Sequence, residues 1–241
     1  MLRTFVVPHA PLLVDIPGRP HPLPDIPSLT AELDPRGNVV LVTPHGSEAG
    51  IYSTTRGDLN GFGLDIGTGT DRDADLGRAL ASTWGAGPLD EPLDHGAVVP
   101  LLLLPPLERV AVCALPQWTG QDESGPEEAL AAADALGSAL RTIAGVSDLD
   151  VVISAHTSAA ISSRAPLTER PEGQEVDRAV VDALAEAPER LDAVPAEKWK
   201  RAGSCGAGPF RVLSHLAQEP LEVLHHSAPF GVGYVVARSR G

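Results

Sequence analysis

Short apolar runs, broken by proline, glycine and acidic residues, form the hydrophobic pattern of this 241-residue chain. Residues 3–7, 38–42 and 149–154 are rich in β-branched side chains and do not alternate with polar ones, which is typical of strands covered on both faces. The second of these strands is expected to end at His45. Similar runs predict further strands over residues 97–104, 109–115, 221–225 and 231–237. The pattern therefore favours an α/β fold in which helices cover a largely parallel sheet.

Between these runs, apolar residues recur at helical spacing. This spacing predicts helices over residues 73–84, 124–143, 174–187, 195–201 and 209–216. The second of them begins with a capping box, Ser124-x-x-Glu127. The proline-rich residues 8–27 exclude a regular helix, and only a short helix is expected over residues 28–33. The glycine-rich residues 47–70 predict a lid or an inserted hairpin.

Composition narrows the class of protein. Lysine and arginine number 18 against 32 acidic residues, and the net charge of −14 disfavours binding to nucleic acid or to anionic lipid. The two cysteines, Cys113 and Cys205, are too few for a disulfide framework and fit a reducing compartment. Because the first residues lack a signal-peptide pattern and no apolar run nears the roughly 20 residues of a membrane helix, we expect a soluble cytoplasmic protein.

Four of the eight histidines lie at the borders of predicted core strands: His9, His45, His95 and His156. Strand ends on one edge of an α/β sheet converge on the crevice where ligands bind, so we expect these four histidines to share a site. Neutral imidazole both binds metal ions and transfers protons near neutral pH. Two such ligands plus one oxygen or sulfur donor leave coordination positions open for a substrate or dioxygen.

No local metal-binding motif supports this site, because the chain lacks His-Glu-x-x-His, Cys-x-x-Cys and histidine pairs at helical spacing. For each histidine alone, a structural role with a backbone carbonyl as partner stays open. We expect surface or core positions for the other histidines, His21, His215, His225 and His226. Cys205 lies in a glycine-rich turn before a predicted helix, which favours a thiolate; a small buried residue is the alternative.

Four short motifs occur in an order that resembles a known superfamily. They are Pro8-His9-Ala10-Pro11-Leu12-Leu13, Thr43-Pro44-His45-Gly46, Asp94-His95-Gly96 followed by Val99-Pro100-Leu101, and Ser154-Ala155-His156. Residues 165–177 and the segment Gly231-Val232-Gly233-Tyr234 extend the resemblance over nearly the whole chain. The set is similar to the class III extradiol ring-cleavage dioxygenases of the LigB type and to their relatives, the Memo-like proteins.

The resemblance implies one α/β sandwich domain over residues 1–241, with a central mixed sheet flanked by helices. It implies that His9 and His45 bind a non-haem Fe(II), that His156 acts as acid and base, and that His95 hydrogen-bonds the substrate. The expected substrates are a catecholic aromatic diol and O2, both of which an open two-histidine metal site can hold. Since relatives are often dimers or larger assemblies, the resemblance also implies a homo-oligomer.

The third metal ligand departs from the dioxygenase pattern. The family has a glutamate in a late glycine-rich segment, whereas residues 203–210 carry no acid and contain Cys205. A cysteine among the histidines resembles the Memo-like proteins, and a thiolate ligand favours zinc or copper over Fe(II); Glu219 and Glu222 are the alternative ligands. Three hypotheses follow: an extradiol dioxygenase, a Memo-like protein that binds metal or a small ligand with redox chemistry at Cys205, and a scaffold whose histidines are structural.

Overall fold

The computed structural model describes residues 1–118 and 126–240. The strands in these ranges are β1 (Leu2–Val7), β2 (Val39–Gly46), β3 (Gly50–Tyr52), β4 (Arg56–Leu59), β5 (Leu64–Gly69), β6 (Asp71–Arg72), β7 (Gly87–Leu89), β8 (Arg109–Pro116), β9 (Leu149–Ser154), β10 (Leu221–Ser227) and β11 (Tyr234–Ser239). The α-helices are α1 (Asp25–Ala31), α2 (Ala74–Trp84), α3 (His95–Leu103), α4 (Glu127–Ala144), α5 (Pro171–Glu186), α6 (Ala196–Ala202) and α7 (Ala207–Leu216). Short 3₁₀ turns span Pro11–Leu13, Asn60–Phe62 and Pro188–Ala193.

The centre of the main sheet consists of four parallel strands in the order β1-β9-β2-β8. On one side β11 pairs antiparallel with β1, and β10 pairs antiparallel with β11. On the other side β3 pairs antiparallel with β8, and the short strands β6 and β7 extend this end of the sheet. The expected α/β fold with a mostly parallel, mixed sheet is therefore confirmed.

Successive residues of the central strands pack on opposite faces of the sheet, each of which is covered by helices. Val40 and Val42 belong to the core that includes residues of α2, α4, α5 and α7, whereas Val39 and Leu41 belong to the core that includes residues of α1 and α3. Both faces thus lie against apolar helix surfaces, so a polar residue on either face would lose water and need a hydrogen-bond partner within the protein. This explains why the strand sequences show no polar alternation.

Most predicted elements are present. Strands β1, β8 and β9 agree with their predicted ranges to within one residue at each end. Helix α2 begins where the sequence indicated, because the Asp73 carboxylate accepts a hydrogen bond from the Leu76 N–H at 3.0 Å and so caps the helix. The predicted capping-box residue Ser124 lies outside the described residues. No helix in the described part of the chain is long and apolar enough to cross a bilayer.

The strand predicted over residues 97–104 is wrong, because this run forms helix α3. Seven residues of α3 are buried, and its apolar residues therefore lack the one-sided spacing that distinguishes a surface helix from a buried strand. The informative signal was Asp94, whose carboxylate accepts a hydrogen bond from the Gly96 N–H at the helix start.

The helix predicted over residues 28–33 is displaced along the chain, whereas the hairpin expected in residues 47–70 is present. Helix α1 begins earlier than the predicted residues 28–33 and lies partly inside the proline-rich segment, where Pro27 is tolerated because the first turn of a helix has no intrahelical partners for its N–H groups. In residues 47–70, strand β3 joins the main sheet, and β4 and β5 pair antiparallel as a separate hairpin. The inserted hairpin is therefore confirmed.

Candidate metal site

Three neighbouring parallel strands bring histidines to one edge of the sheet. Val7 pairs with Ser154, and His9 and His156 each follow two residues after these paired strand ends. His45 lies in the last residues of β2, which pairs with β9. His95 reaches the same place from the first position of α3. The four histidines that the sequence grouped therefore lie together, three by strand ends and His95 by a helix start.

The ring nitrogens of His9 and His45 lie close to each other. His9 Nε2 and His45 Nε2 are 3.1 Å apart, and the two rings meet edge to face with a centroid distance of 5.0 Å. The rings of His45 and His95 stack at 4.4 Å, and those of His9 and His156 lie 4.0 Å apart. Cys205 Sγ lies 3.5 Å from His9 Nε2. The structure thus brings all five predicted site residues into one cluster.

A serine fixes the tautomer of the buried His9. The Ser154 hydroxyl donates its proton to the Gly96 carbonyl, so at 2.9 Å the Ser154 oxygen accepts a hydrogen bond from His9 Nδ1–H. The proton of neutral His9 is therefore on Nδ1, and the lone pair of Nε2 points toward His45. Such a partner on the remote ring nitrogen is the usual support of a metal-binding histidine.

The backbone fixes the same tautomer in His156, but here the protonated nitrogen faces the cluster. Its Nε2 accepts a hydrogen bond from the His9 N–H at 3.3 Å, so neutral His156 carries its proton on Nδ1. That Nδ1–H faces Cys205 Sγ at 3.9 Å. With one nitrogen accepting and the other protonated, His156 is a hydrogen-bond donor toward the cluster and has no lone pair free for a metal ion.

Two overlapping groups of side chains in the described residues have ligand atoms within 4.8 Å of one another: His9, His45 and His95, and His9, His156 and Cys205. Cys205 therefore groups with His156 and not with His45. Because His156 Nδ1 carries a proton, the group of three histidines offers the better set of donors. The 3.1 Å between His9 Nε2 and His45 Nε2 fits two ligands of one ion, since metal–nitrogen bonds of about 2.1 Å place neighbouring ligands about 3 Å apart.

Burial keeps the cluster uncharged. It lowers the pKa of His45 and of His156 to about 3, with neighbouring histidines adding to the effect, and it lowers the pKa of His9 well below its usual range. Burial also lowers the pKa of His95, although the carboxylate of Asp94 opposes this shift. Neutral imidazoles are the form that binds metal ions.

The thiolate expected at Cys205 is not supported. Burial raises the pKa of this thiol to about 12, although backbone hydrogen bonds act in the opposite direction. The partial positive charge at the start of α7 is therefore too weak to offset the desolvation of a thiolate. Without a metal ion, Cys205 is a protonated thiol next to His9 and His156.

Asp94 is a site residue to which the sequence assigned no role. Its carboxylate accepts hydrogen bonds from the Thr43 hydroxyl and from the Tyr52 hydroxyl, both at 2.9 Å, as well as from the Gly96 N–H. It therefore ties β2, β3 and the start of α3 together beside His95. Asp94 belongs to neither candidate ligand group of the described residues, so we assign it a positioning role.

The remaining candidate residues lie elsewhere. His21, His215, His225 and His226 hydrogen-bond to Leu13, Asp134, Ser227 and Asp177, respectively, outside the cluster. Glu222 pairs with Arg238, and Glu219 lines a cleft of about 290 Å³ near Leu2 and Arg240. That cleft contains no histidine or cysteine, so it is the chemistry of the side chains, and not the size of a cavity, that identifies the candidate site.

Comparisons with known proteins bear on the fold. The chain is similar in structure to an uncharacterized protein, JW3007, from Escherichia coli K12, with a TM-score of 0.67 and 13% sequence identity over all of both chains. The likeness shows a shared fold. No family model and no curated protein matches the chain.

Proposed function

We propose that this protein is a metal-dependent enzyme that cleaves the ring of a catecholic substrate with O2, in the manner of the extradiol dioxygenases that the sequence motifs resemble. The observation that carries the proposal is the 3.1 Å separation of His9 Nε2 and His45 Nε2, with Ser154 holding the lone pair of His9 toward the site. Ser154 supports His9 from its remote nitrogen, as is usual for a metal ligand, whereas the buried Nδ1 of His45 has no hydrogen-bond partner in the described structure.

In this proposal, His9 and His45 hold the ion, and His95 is the third nitrogen in reach. Imidazole ligands suit Fe(II), zinc and copper, and oxygen chemistry favours Fe(II). When bound, the ion would supply adjacent positions for the two diol oxygens and O2 and would favour electron transfer from the ring to oxygen.

His156 supplies a hydrogen bond in this proposal. Its Nδ1–H faces the cluster, and burial lowers its pKa to about 3, so the ring is neutral and keeps this proton near neutral pH. The hydrogen bond from the His9 N–H to Nε2 holds the ring in the donating orientation. His156 therefore donates a hydrogen bond to an oxygen atom that gains negative charge during the reaction, and stabilises that charge.

The experiment is oxygen uptake by anaerobically purified, Fe(II)-reconstituted protein with a panel of catechols. Wild-type protein should consume O2, and His156→Ala should retain its iron but lose activity by about 100-fold or more, the usual loss when a hydrogen-bond donor to developing negative charge is removed. His225→Ala, which changes a histidine outside the cluster, is the matched control. Iron-loaded wild-type protein that consumes no O2 with any catechol would contradict ring cleavage.

A Memo-like protein that binds metal without ring cleavage is the second candidate. Two observations favour it: Cys205 Sγ lies 3.5 Å from His9 Nε2, and neither candidate ligand group in the described residues contains a carboxylate. A thiolate donor favours zinc or copper. Cys205→Ser should then reduce the uptake of copper or zinc, whereas the dioxygenase proposal predicts unchanged uptake of Fe(II).

A further inference from the structure

Phe62 is exposed although it touches the site. It exposes 54% of its surface, yet its ring meets that of His95 at a centroid distance of 5.0 Å and an angle of 61°. Among the large apolar residues of the described chain, only Met1 and Val146 are more exposed, and they precede the starts of β1 and β9 at the opposite edge of the sheet. Single exposed apolar residues are common, so the contact with His95 is what distinguishes Phe62.

The base of the β4–β5 hairpin fixes the position of Phe62 beside His95. Leu59 is fully buried, and a Cβ atom at Gly57 would lie 2.5 Å from the Leu93 carbonyl and 2.7 Å from Val98 of α3. The Leu93 N–H also donates a hydrogen bond to the Arg56 carbonyl at 2.9 Å. The base of the hairpin is therefore packed tightly against the helix that carries His95.

The tip of the hairpin is open. A Cβ atom at Gly61 or at Gly63 would have no heavy atom within 4 Å, and Gly63 has a φ of +74°. Phe62 thus projects from a turn that contacts little else. Its ring is the outer end of a row in which His95 stacks on His45 and His45 meets His9.

We propose that Phe62 determines specificity at this site, by packing its exposed ring face against a flat, apolar ring of a ligand that the metal ion holds. The inference rests on the proposed function, since the metal fixes one end of the ligand. Phe62 adds little to the folded core, because half of its surface is exposed. A ligand ring that covers this surface gains hydrophobic contact and offset or edge-to-face ring packing.

The test compares two bidentate oxygen chelators that differ in having a ring. Binding of 4-nitrocatechol and of acetohydroxamate to Fe(II)-loaded protein is measured by anaerobic calorimetry for wild type, Phe62→Ala and Phe62→Leu. Phe62→Ala should weaken binding of 4-nitrocatechol about tenfold, which corresponds to the free energy gained by burying half of a phenylalanine side chain. Binding of acetohydroxamate should change by less than about twofold. Phe62→Leu, which keeps apolar area, should give an intermediate loss.

Val146→Ala is the control, because it shortens an apolar residue that is 89% exposed at the opposite edge of the sheet, and it should change neither affinity. Equal weakening of both chelators in Phe62→Ala would show that Phe62 acts through His95 or the metal, and would overturn the inference. Unchanged binding of 4-nitrocatechol would overturn it as well. Wild-type protein that takes up no metal would instead contradict the proposed function, which metal analysis of the same samples reveals.

Discussion

At the scale of the residue, the candidate site depends on where two protons lie. Ser154 holds the proton of His9 on Nδ1, so the lone pair of Nε2 faces the cluster, whereas the His9 N–H occupies Nε2 of His156, so its Nδ1–H faces the cluster. Two histidines with the same tautomer therefore differ in chemistry, one offering a lone pair and the other a hydrogen-bond donor. This difference arises from neighbouring groups and not from the residue type.

Ser154→Ala should lower metal affinity by about 10- to 100-fold, the usual effect of removing the partner of a ligating histidine. The reason is that His9 Nδ1–H loses its acceptor, so the tautomer that frees Nε2 is no longer favoured. Titration with Zn(II) against a competing chelator measures the change. Ser158→Ala is a matched control, because this buried hydroxyl binds the Ala202 carbonyl and no histidine. Equal losses in both variants would contradict the role of Ser154.

At the scale of the element, helix α3 and the hairpin of β4 and β5 form one unit that carries His95 and Phe62. Asp94 ties the start of the helix to β2 and β3 through Thr43 and Tyr52. The hairpin packs so closely against the same helix that no side chain fits at Gly57. Displacement of the hairpin should therefore alter both stability and the site.

Gly57→Ala should lower the free energy of unfolding by about 1–3 kcal/mol, as expected for overpacking, because the new methyl group would collide with the Leu93 carbonyl and Val98. Urea denaturation measures this. Gly69→Ala is the control in the paired strand β5, where a Cβ atom meets nothing within 4 Å. A Gly57→Ala protein as stable as the Gly69→Ala protein would mean that the hairpin is free to move away from α3.

Helix α5 and strand β10 are linked by an ion pair that depends on pH. His226 Nε2 lies 3.0 Å from both carboxylate oxygens of Asp177, and the hydrogen bond to Asp177 raises the pKa of His226 above its usual value of 6.5. A raised pKa in the folded state stabilises the protein fully below pH 6.5, and this contribution is lost as pH rises through the raised value.

His226→Gln should therefore lower the melting temperature by about 2 °C near pH 5.5, a modest value for a partly exposed pair, and by less near pH 9. Thermal unfolding at both pH values measures the difference. His225→Gln is the control, because burial lowers the pKa of His225, so its loss should not remove stability selectively at low pH. A loss for His226→Gln that is larger at pH 9 would contradict the assigned ion pair.

At the scale of the whole molecule, the sequence predicted the sheet well and the site in part. Strands β1, β2 and β9 were predictable because burial on both faces demands uninterrupted apolar residues. Helix α3 was not, because burial on all sides removes the helical spacing of apolar residues. His95 was therefore assigned to the correct site for the wrong structural reason.

The contacts that give the site its chemistry have no local pattern in the sequence. Ser154 lies 145 residues from His9, and Thr43 lies 51 residues from Asp94. The protonation of Cys205 also depends on burial, which raises the pKa of its thiol to about 12, and the helix-start pattern alone does not reveal that burial. Residue types at strand ends indicate where a site lies, whereas tautomers and charges follow only from the folded structure.

The central claim is that His9 and His45 hold a metal ion, and metal content tests it most directly. Wild type and His45→Ala are reconstituted anaerobically with Fe(II), desalted and analysed by mass spectrometry for bound metal. We expect about one ion per wild-type chain and below about a tenth of that in His45→Ala, since one of two close nitrogen ligands is lost. The two metal-free proteins should show the same far-UV circular dichroism. Equal metal content in both proteins, or none in either, would contradict the account.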